Sequence, residues 1–248
     1  MQSEPQVRMN KVCNAEKSGG IDVFAGFHQV AGKVLLELDF HNDSSSTPIS
    51  NLAIQLNKNS FGLSPVSQQI VLNPSVNAGY NGKATVELST NQGMLAPVNV
   101  GQPAPPQVQV AIKNMATGNI FYFAVNFNLD AFFSSDGAMD SSTFIDTWKN
   151  IDDSEELYGT ITSLPPSSTN IDQVQAKLGM YNIFFIAKRA ASEGQEIAYF
   201  SMKTMTGMSF LAELTFKDGV NACKVCIKSQ SSEYAALAKT AIENLLKH

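Results

Sequence analysis

Cysteine is scarce in this chain. Cys13, Cys223 and Cys226 are three in 248 residues, an odd and widely spaced set that excludes a disulfide framework and fits a reducing compartment. Charge is scarce as well, at 16% of residues against about 25% in a typical domain. Lys and Arg number 17 and Asp and Glu 22, for a net charge of −5. That balance argues against nucleic acid or an anionic membrane as the main partner, since both select concentrated positive charge. No apolar run approaches the roughly 20 residues that cross a bilayer, and no apolar block near Met1 resembles a signal peptide. The expectation is a soluble, cytoplasmic protein with no direct membrane insertion.

Catalytic chemistry is missing too. The histidines are His28, His41 and His248, none framed by a nucleophile or a carboxylate in a recognisable pattern. G-x-S-x-G, H-E-x-x-H, a Walker loop and a dinucleotide glycine pattern do not occur. Cys223-Lys224-Val225-Cys226 has the letters of a redox or zinc pair. It lies in an alternating run, however, where positions three apart point to opposite faces, so both thiols read as packing groups. Asp152, Asp153, Glu155 and Glu156 sit in polar sequence and read as solvated surface charge. No enzyme, cofactor or metal is expected.

What is present is ample core material, 44% hydrophobic and 9% aromatic, which excludes wholesale disorder. Residues 1–19 are polar and without period, and read as a flexible hinge remnant of a larger protein. Residues 20–133 carry β signals. Val34, Leu36, Leu38 and Phe40 alternate along one run and Leu52, Ile54 and Leu56 along another. Four more follow at 69–72, 84–88, 108–112 and 120–127, separated by turn-formers. About seven short strands without a convincing helix predict a two-sheet sandwich. The segment from Pro97 to Pro106 reads as a stiff connection. Leu35-Leu36-Glu37-Leu38-Asp39 matches a clathrin box, but such a box must be free and extended, and here the alternation makes it the middle of a strand.

Residues 134–248 change character. Asp140 can cap a helix carrying Phe144, Ile145 and Trp148, and Asn170 a second one with Ile171, Val174 and Leu178. Extended runs follow at 183–188, 196–203, 209–216 and 222–228, then a closing helix at 232–247. Strands first and mixed elements second predict an α+β chain of two subdomains.

Several blocks go beyond composition. Ala53-Ile54-Gln55-Leu56-Asn57-Lys58-Asn59-Ser60-Phe61-Gly62 resembles a block of the beta-adaptin appendage (ear), the C-terminal domain of the beta subunit of clathrin adaptor complexes. So do Val108–Asn114, Phe121-Tyr122-Phe123, Phe144–Lys149, Ile186–Arg189 and Leu211–Leu214. These blocks run in register from about Gly20 to His248. The resemblance implies an immunoglobulin-like β-sandwich followed by an α/β platform, an antiparallel sheet flanked by helices. It implies a non-catalytic module, hung from a hinge on the rest of the adaptor complex and peripheral on clathrin-coated pits and vesicles. The implied partners are clathrin heavy chain and the short motifs of accessory proteins, including epsin-like and arrestin-like ones. The appendage of the coatomer gamma subunit has a similar architecture and is the neighbouring alternative; a hydrolase or a carbohydrate-binding sandwich is a distant one.

Two peptide sites carry over with the resemblance. In the platform, Trp148, Lys149, Glu156, Arg189, Tyr199 and Glu213 fall at positions that hold a helical Phe-x-x-Phe-x-x-x-Arg peptide. The rings would receive the Phe side chains, and Glu156 and Glu213 would pair with the ligand Arg. In the sandwich, the site centres on Tyr122, with Gln109 and Lys113 one strand away. By alternation Tyr122 faces away from Phe121 and Phe123. From spacing alone Trp148 reads as core, Tyr199 as packing, Arg189 as a brace for a carboxylate, Glu156 as solvated and Tyr122 as a cross-strand support. The family often has Arg where this chain has Ser141, and Gln where it has Tyr158, so peptide preference is expected to differ.

Overall fold

The computed structural model describes residues 7–90, 106–230 and 232–248. Within them the chain divides into two units, one up to residue 127 and the other from residue 128 onward. The expected stiff connection at 97–106 falls almost wholly outside the described residues.

The first unit is a β-sandwich. One sheet holds β1 (Asn10–Cys13), β2 (Ile21–Val30), β3 (Lys33–Asn42), β7 (Tyr80–Thr90) and β5 (Leu63–Pro65), in that order. The other holds β6 (Gln69–Val76), β4 (Ile49–Leu56), β8 (Gln107–Asn114) and β9 (Ile120–Asn126). Strict alternation builds the core. Val34, Leu36, Leu38 and Phe40 of β3 are all buried, as are Val108, Val110, Ile112, Phe121 and Phe123 of the opposite sheet. The clathrin-box letters are therefore strand interior, with Leu36 and Leu38 sealed in. Phe127 stacks against Phe61 at 4.1 Å and edge-on to Phe27 at 5.3 Å.

Two features differ from expectation here. Nine strands form among the described residues rather than about seven. β2 does alternate, with Ile21, Val23, Ala25 and Phe27 inward, but outward Phe24 and mid-strand Gly26 blur the contrast between its two faces. The arm expected at 1–19 is not free after Asn10. β1 pairs antiparallel with β2, Asn10 facing Ala25 and Lys11 facing Phe24, and the single turn α1 (Ala15–Ser18) follows, held by Asp22, which accepts from the Ala15 amide at 2.7 Å. Polar β1 forms because the edge of β2 offers it a ladder, not because of its own pattern.

The second unit is a five-stranded antiparallel sheet with helices. Its elements are α2 (Ser141–Asn150), β10 (Glu156–Thr162), α3 (Ile171–Gly179), β11 (Phe184–Ser192), β12 (Gln195–Lys203), β13 (Ser209–Lys217), β14 (Ala222–Ser229) and α4 (Ser232–Lys247). The strand order is β10-β14-β13-β12-β11. Four of the strands follow the expected runs. β10 is the addition: in Glu-Leu-Tyr-Gly-Thr-Ile-Thr only Ile161 is fully buried, so the apolar signal of an edge strand is faint. Both helix caps form as expected. Asp140 accepts from the Thr143 amide at 2.9 Å and Asn170 from the Gln173 amide at 3.1 Å. Ile171, Val174 and Leu178 of α3 and Ala238, Ile242 and Leu245 of α4 are buried.

Candidate functional site

The register of the platform sheet sets out one face row by row. Tyr158, Cys226, Glu213 and Tyr199 stand side by side across β10, β14, β13 and β12, with Ala187 next on β11. One step along, Glu156, Lys228, Leu211 and Ser201 form the next row. Helix α2 brings its rings to this face. Phe144 and Trp148 lie four residues apart and so share one stripe of the helix. The chain leading to α2 lies close on β12: the Ser201 hydroxyl donates to Gly137 O at 2.8 Å, and a Cβ on Gly137 would stand 2.7 Å from the Lys203 nitrogen.

Between α2 and the strands runs a groove of about 350 Å³. Phe144 is its floor, 5% exposed. Trp148 and Tyr199 are its half-buried walls, their rings edge-on at 6.5 Å. Phe144 lies 5.6 Å from Trp148 and 5.7 Å from Tyr199, so the three rings brace one another. Ile145, Ile186 and Ala187 continue the apolar lining, and Lys149, Arg189, Glu213 and Ser141 rim it. Arg189 donates through Nε to the Tyr199 hydroxyl at 2.9 Å. Burial pushes the Tyr199 phenol up, and Arg189 partly offsets it. Tyr199 thus stays a neutral donor and acceptor near neutral pH.

Five of the six platform residues singled out from the sequence, Trp148, Lys149, Arg189, Tyr199 and Glu213, line this one groove. Glu156 does not. Its carboxylate is turned inward, its side chain 10% exposed, and it pairs at 2.8 Å with Lys228, which is itself only 2% exposed. It also accepts from the Tyr158 hydroxyl. Glu156 is therefore neither the solvated charge its sequence setting suggested nor a carboxylate free to meet a ligand. Glu213 is different: among the described residues no cation stands within ion-pair distance of it.

Lys228 is the residue the sequence did not disclose. Its ammonium gathers Trp148 O and Ile151 O at 3.2 Å each, Asp153 Oδ1 at 2.8 Å and Glu156, and lies 5.4 Å from the Trp148 ring centre. It caps the C-terminal carbonyls of α2, where a cation is favoured, and it fixes the helix end carrying Trp148. Burial pulls its pKa down, but Asp153 and Glu156 outweigh that and hold it above the ordinary lysine value. Alternation with Lys224 and Cys226 places Lys228 on the groove face, but nothing in the letters tells a buried lysine from an exposed one.

The cysteine pair behaves as packing. Cys223 and Cys226 point to opposite faces of β14, one beside Ile161 and Phe216, the other beside Tyr158 and Glu213. Burial pushes the thiols up to about 12 and about 11, far from the thiolate that metal binding or exchange needs. Among the described residues no group of three or more His, Cys, Asp or Glu is arranged to hold a metal.

In the sandwich, Phe121 and Phe123 are buried at 2% and 5%, while Tyr122 is 67% exposed. Tyr122 faces Ala111 across the β8–β9 pair, with Gln109 and Lys113 two positions to either side of Ala111. Ile120 and Met115 are exposed as well, an apolar margin that the sequence reading passed over.

The aromatic groove lies on a helix-covered sheet, in the unit that follows a β-sandwich in sequence. Comparison with known proteins shows which class of domain this is. Residues 134–246 match the family model described as beta2-adaptin appendage, C-terminal sub-domain. The chain is 32% identical over 234 residues to AP-1 complex subunit beta-1 of Rattus norvegicus and 32% identical over 237 residues to that of Homo sapiens, covering 94% of this chain in both cases. It is 29% identical over 247 residues, 99% of this chain, to AP-1 complex subunit beta of Dictyostelium discoideum. These alignments span 23%, 24% and 25% of the relatives' own lengths. The chain belongs to the beta-adaptin appendage family, with residues 134–246 as its C-terminal sub-domain, and is a non-catalytic protein-interaction domain.

Proposed function

We propose that this domain works in the beta subunit of an AP-1-like clathrin adaptor, capturing short linear motifs in the unstructured tails of accessory proteins, among them epsin-like and arrestin-like ones, and contacting clathrin heavy chain. It would act at the cytoplasmic surface of coated pits and vesicles, joined to the rest of the complex through a hinge. The observation that carries this reading is the braced Phe144–Trp148–Tyr199 groove ending at Glu213, which has no ion-pair partner among the described residues. Such a groove suits an amphipathic helix that presents two Phe rings to the aromatic walls and then an Arg to the carboxylate. Exposed Tyr122, with Gln109 and Lys113 nearby, supports a second and separate dock on the sandwich.

Calorimetry with a Phe-x-x-Phe-x-x-x-Arg peptide tests the reading. Binding near 1 μM corresponds to about −8 kcal/mol, and Trp148→Ala is expected to remove about 2 kcal/mol of it or more, as truncation of a central aromatic does. Equal affinity for wild type and a folded Trp148→Ala variant would refute the groove as the dock.

A further inference from the structure

Beyond Glu213 the groove face does not end. A second depression of about 370 Å³ lies over β10, β14 and β13, lined by Tyr158, Thr160, Thr215, Lys224 and Cys226, and it shares Glu213 with the groove. Its outer wall is the ring of Tyr158, 71% exposed and tethered through its hydroxyl to the inward-turned Glu156. Its far end is Lys224, exposed and, among the described residues, without an ion-pair partner.

The register fixes the spacing. Glu213 faces Cys226, and Lys224 precedes Cys226 by two residues on the same strand face. Lys224 is thus the diagonal neighbour of Glu213, about 7–8 Å away. A peptide whose rings fill the groove and whose Arg meets Glu213 reaches the second depression when it continues past Glu213 toward β14 and β10. An extended chain advances about 6.6 Å in two residues, close to the diagonal step from Glu213 to Lys224 on the sheet.

We infer that this depression is a subsite for the segment following the peptide's basic residue, and that it selects an acidic side chain two positions after that residue. This rests on the groove reading proposed above. Tyr158 forms the side wall and Lys224 supplies the counter-charge. Two adjoining charges of opposite sign would then read an Arg-x-Asp or Arg-x-Glu step, a requirement that the groove alone does not impose.

Three peptides identical up to the Arg and ending Arg-Ala-Glu-Ala, Arg-Ala-Ala-Ala or Arg-Ala-Lys-Ala test this by fluorescence anisotropy with the whole chain. The Glu peptide is expected to bind roughly two- to fivefold more tightly than the Ala peptide, the range of an exposed ion pair, and the Lys peptide more weakly than either. Lys224→Glu, a surface change, is expected to invert that order. Tyr158→Ala is expected to weaken the long Glu peptide while sparing one truncated after the Arg. Equal affinities for the Glu and Ala peptides, with both still lost on Trp148→Ala, would overturn the subsite and leave the groove standing. If no peptide binds wild type, both fall.

Discussion

Lys228 and Glu156 form a buried pair at the C-terminal end of α2, whereas Glu213, at the groove, neighbours the Tyr199 hydroxyl and has no ion-pair partner among the described residues; the chemistry of the site turns on that difference. Removing the Lys228 ammonium leaves a carboxylate sealed beneath α2 without its counter-charge, and breaking such a pair costs far more than the pair contributes. Lys228→Met is therefore expected to lower stability by about 3 kcal/mol, read from urea denaturation. A shift below 0.5 kcal/mol would mean that water reaches the pair. The two glutamates should separate cleanly. Glu213→Gln is expected to weaken an Arg-bearing peptide by about 1 kcal/mol and to leave its Arg→Ala counterpart unchanged. Glu156→Gln is expected to lower the melting temperature, and to affect the Arg and Ala peptides equally. If Glu156→Gln discriminated against the Arg peptide as Glu213→Gln does, the inward-facing assignment would be wrong.

At the scale of the element, α2 matters most, because it carries Phe144 and Trp148 and is only ten residues long. Its N-terminus depends on Asp140, which accepts from the Thr143 amide, the Ser142 hydroxyl and the Thr143 hydroxyl. These bonds, that to the Thr143 amide first, hold the Asp140 carboxyl well below the usual carboxylate range. The native pKa is lower than the unfolded one, so the stabilisation is complete above the unfolded value near 4 and is lost as pH falls further toward the native value. Helix α2 is expected to loosen below about pH 4, seen as a shift of the Thr143 amide resonance. Asp140→Asn keeps an acceptor without the charge and should flatten that dependence. An unchanged profile in Asp140→Asn would assign the acid sensitivity elsewhere.

This helix was legible in the sequence because its cap and its ring spacing agree. So were the β3 alternation and the Phe121-Tyr122-Phe123 switch. Two edge strands were not: β1 and β10 take their conformation from the neighbour that pairs with them, and their own residues carry little apolar pattern. Five groove residues were found through family likeness, not periodicity, since spacing alone reads Trp148 as core. Glu156 was misjudged because its fate depends on Lys228, 72 positions away in the chain and adjacent only once β10 pairs with β14. Contacts of that kind have no local signature.

At the scale of the whole molecule, the two proposed docks fall in different units, which predicts independence. Tyr122→Ala is expected to weaken ligands of the sandwich face by about 1–2 kcal/mol, as loss of an exposed aromatic anchor does, and to leave the groove peptide untouched in parallel calorimetry. Loss of both affinities together would point to one composite site or to misfolding. Under the proposed function, a tail carrying several weak motifs would gain from effective concentration when both proposed docks are engaged.

Trp148 is the chain's one tryptophan, so its indole N–H gives a single, unambiguous resonance in a nitrogen-correlated spectrum. On titration with the Phe-x-x-Phe-x-x-x-Arg peptide that resonance is predicted to shift and saturate with the same affinity that calorimetry reports, and to keep its free position when both Phe residues are replaced by Ala. Saturable binding of the peptide with the indole resonance unmoved would contradict the groove as the place where this domain reads its partners.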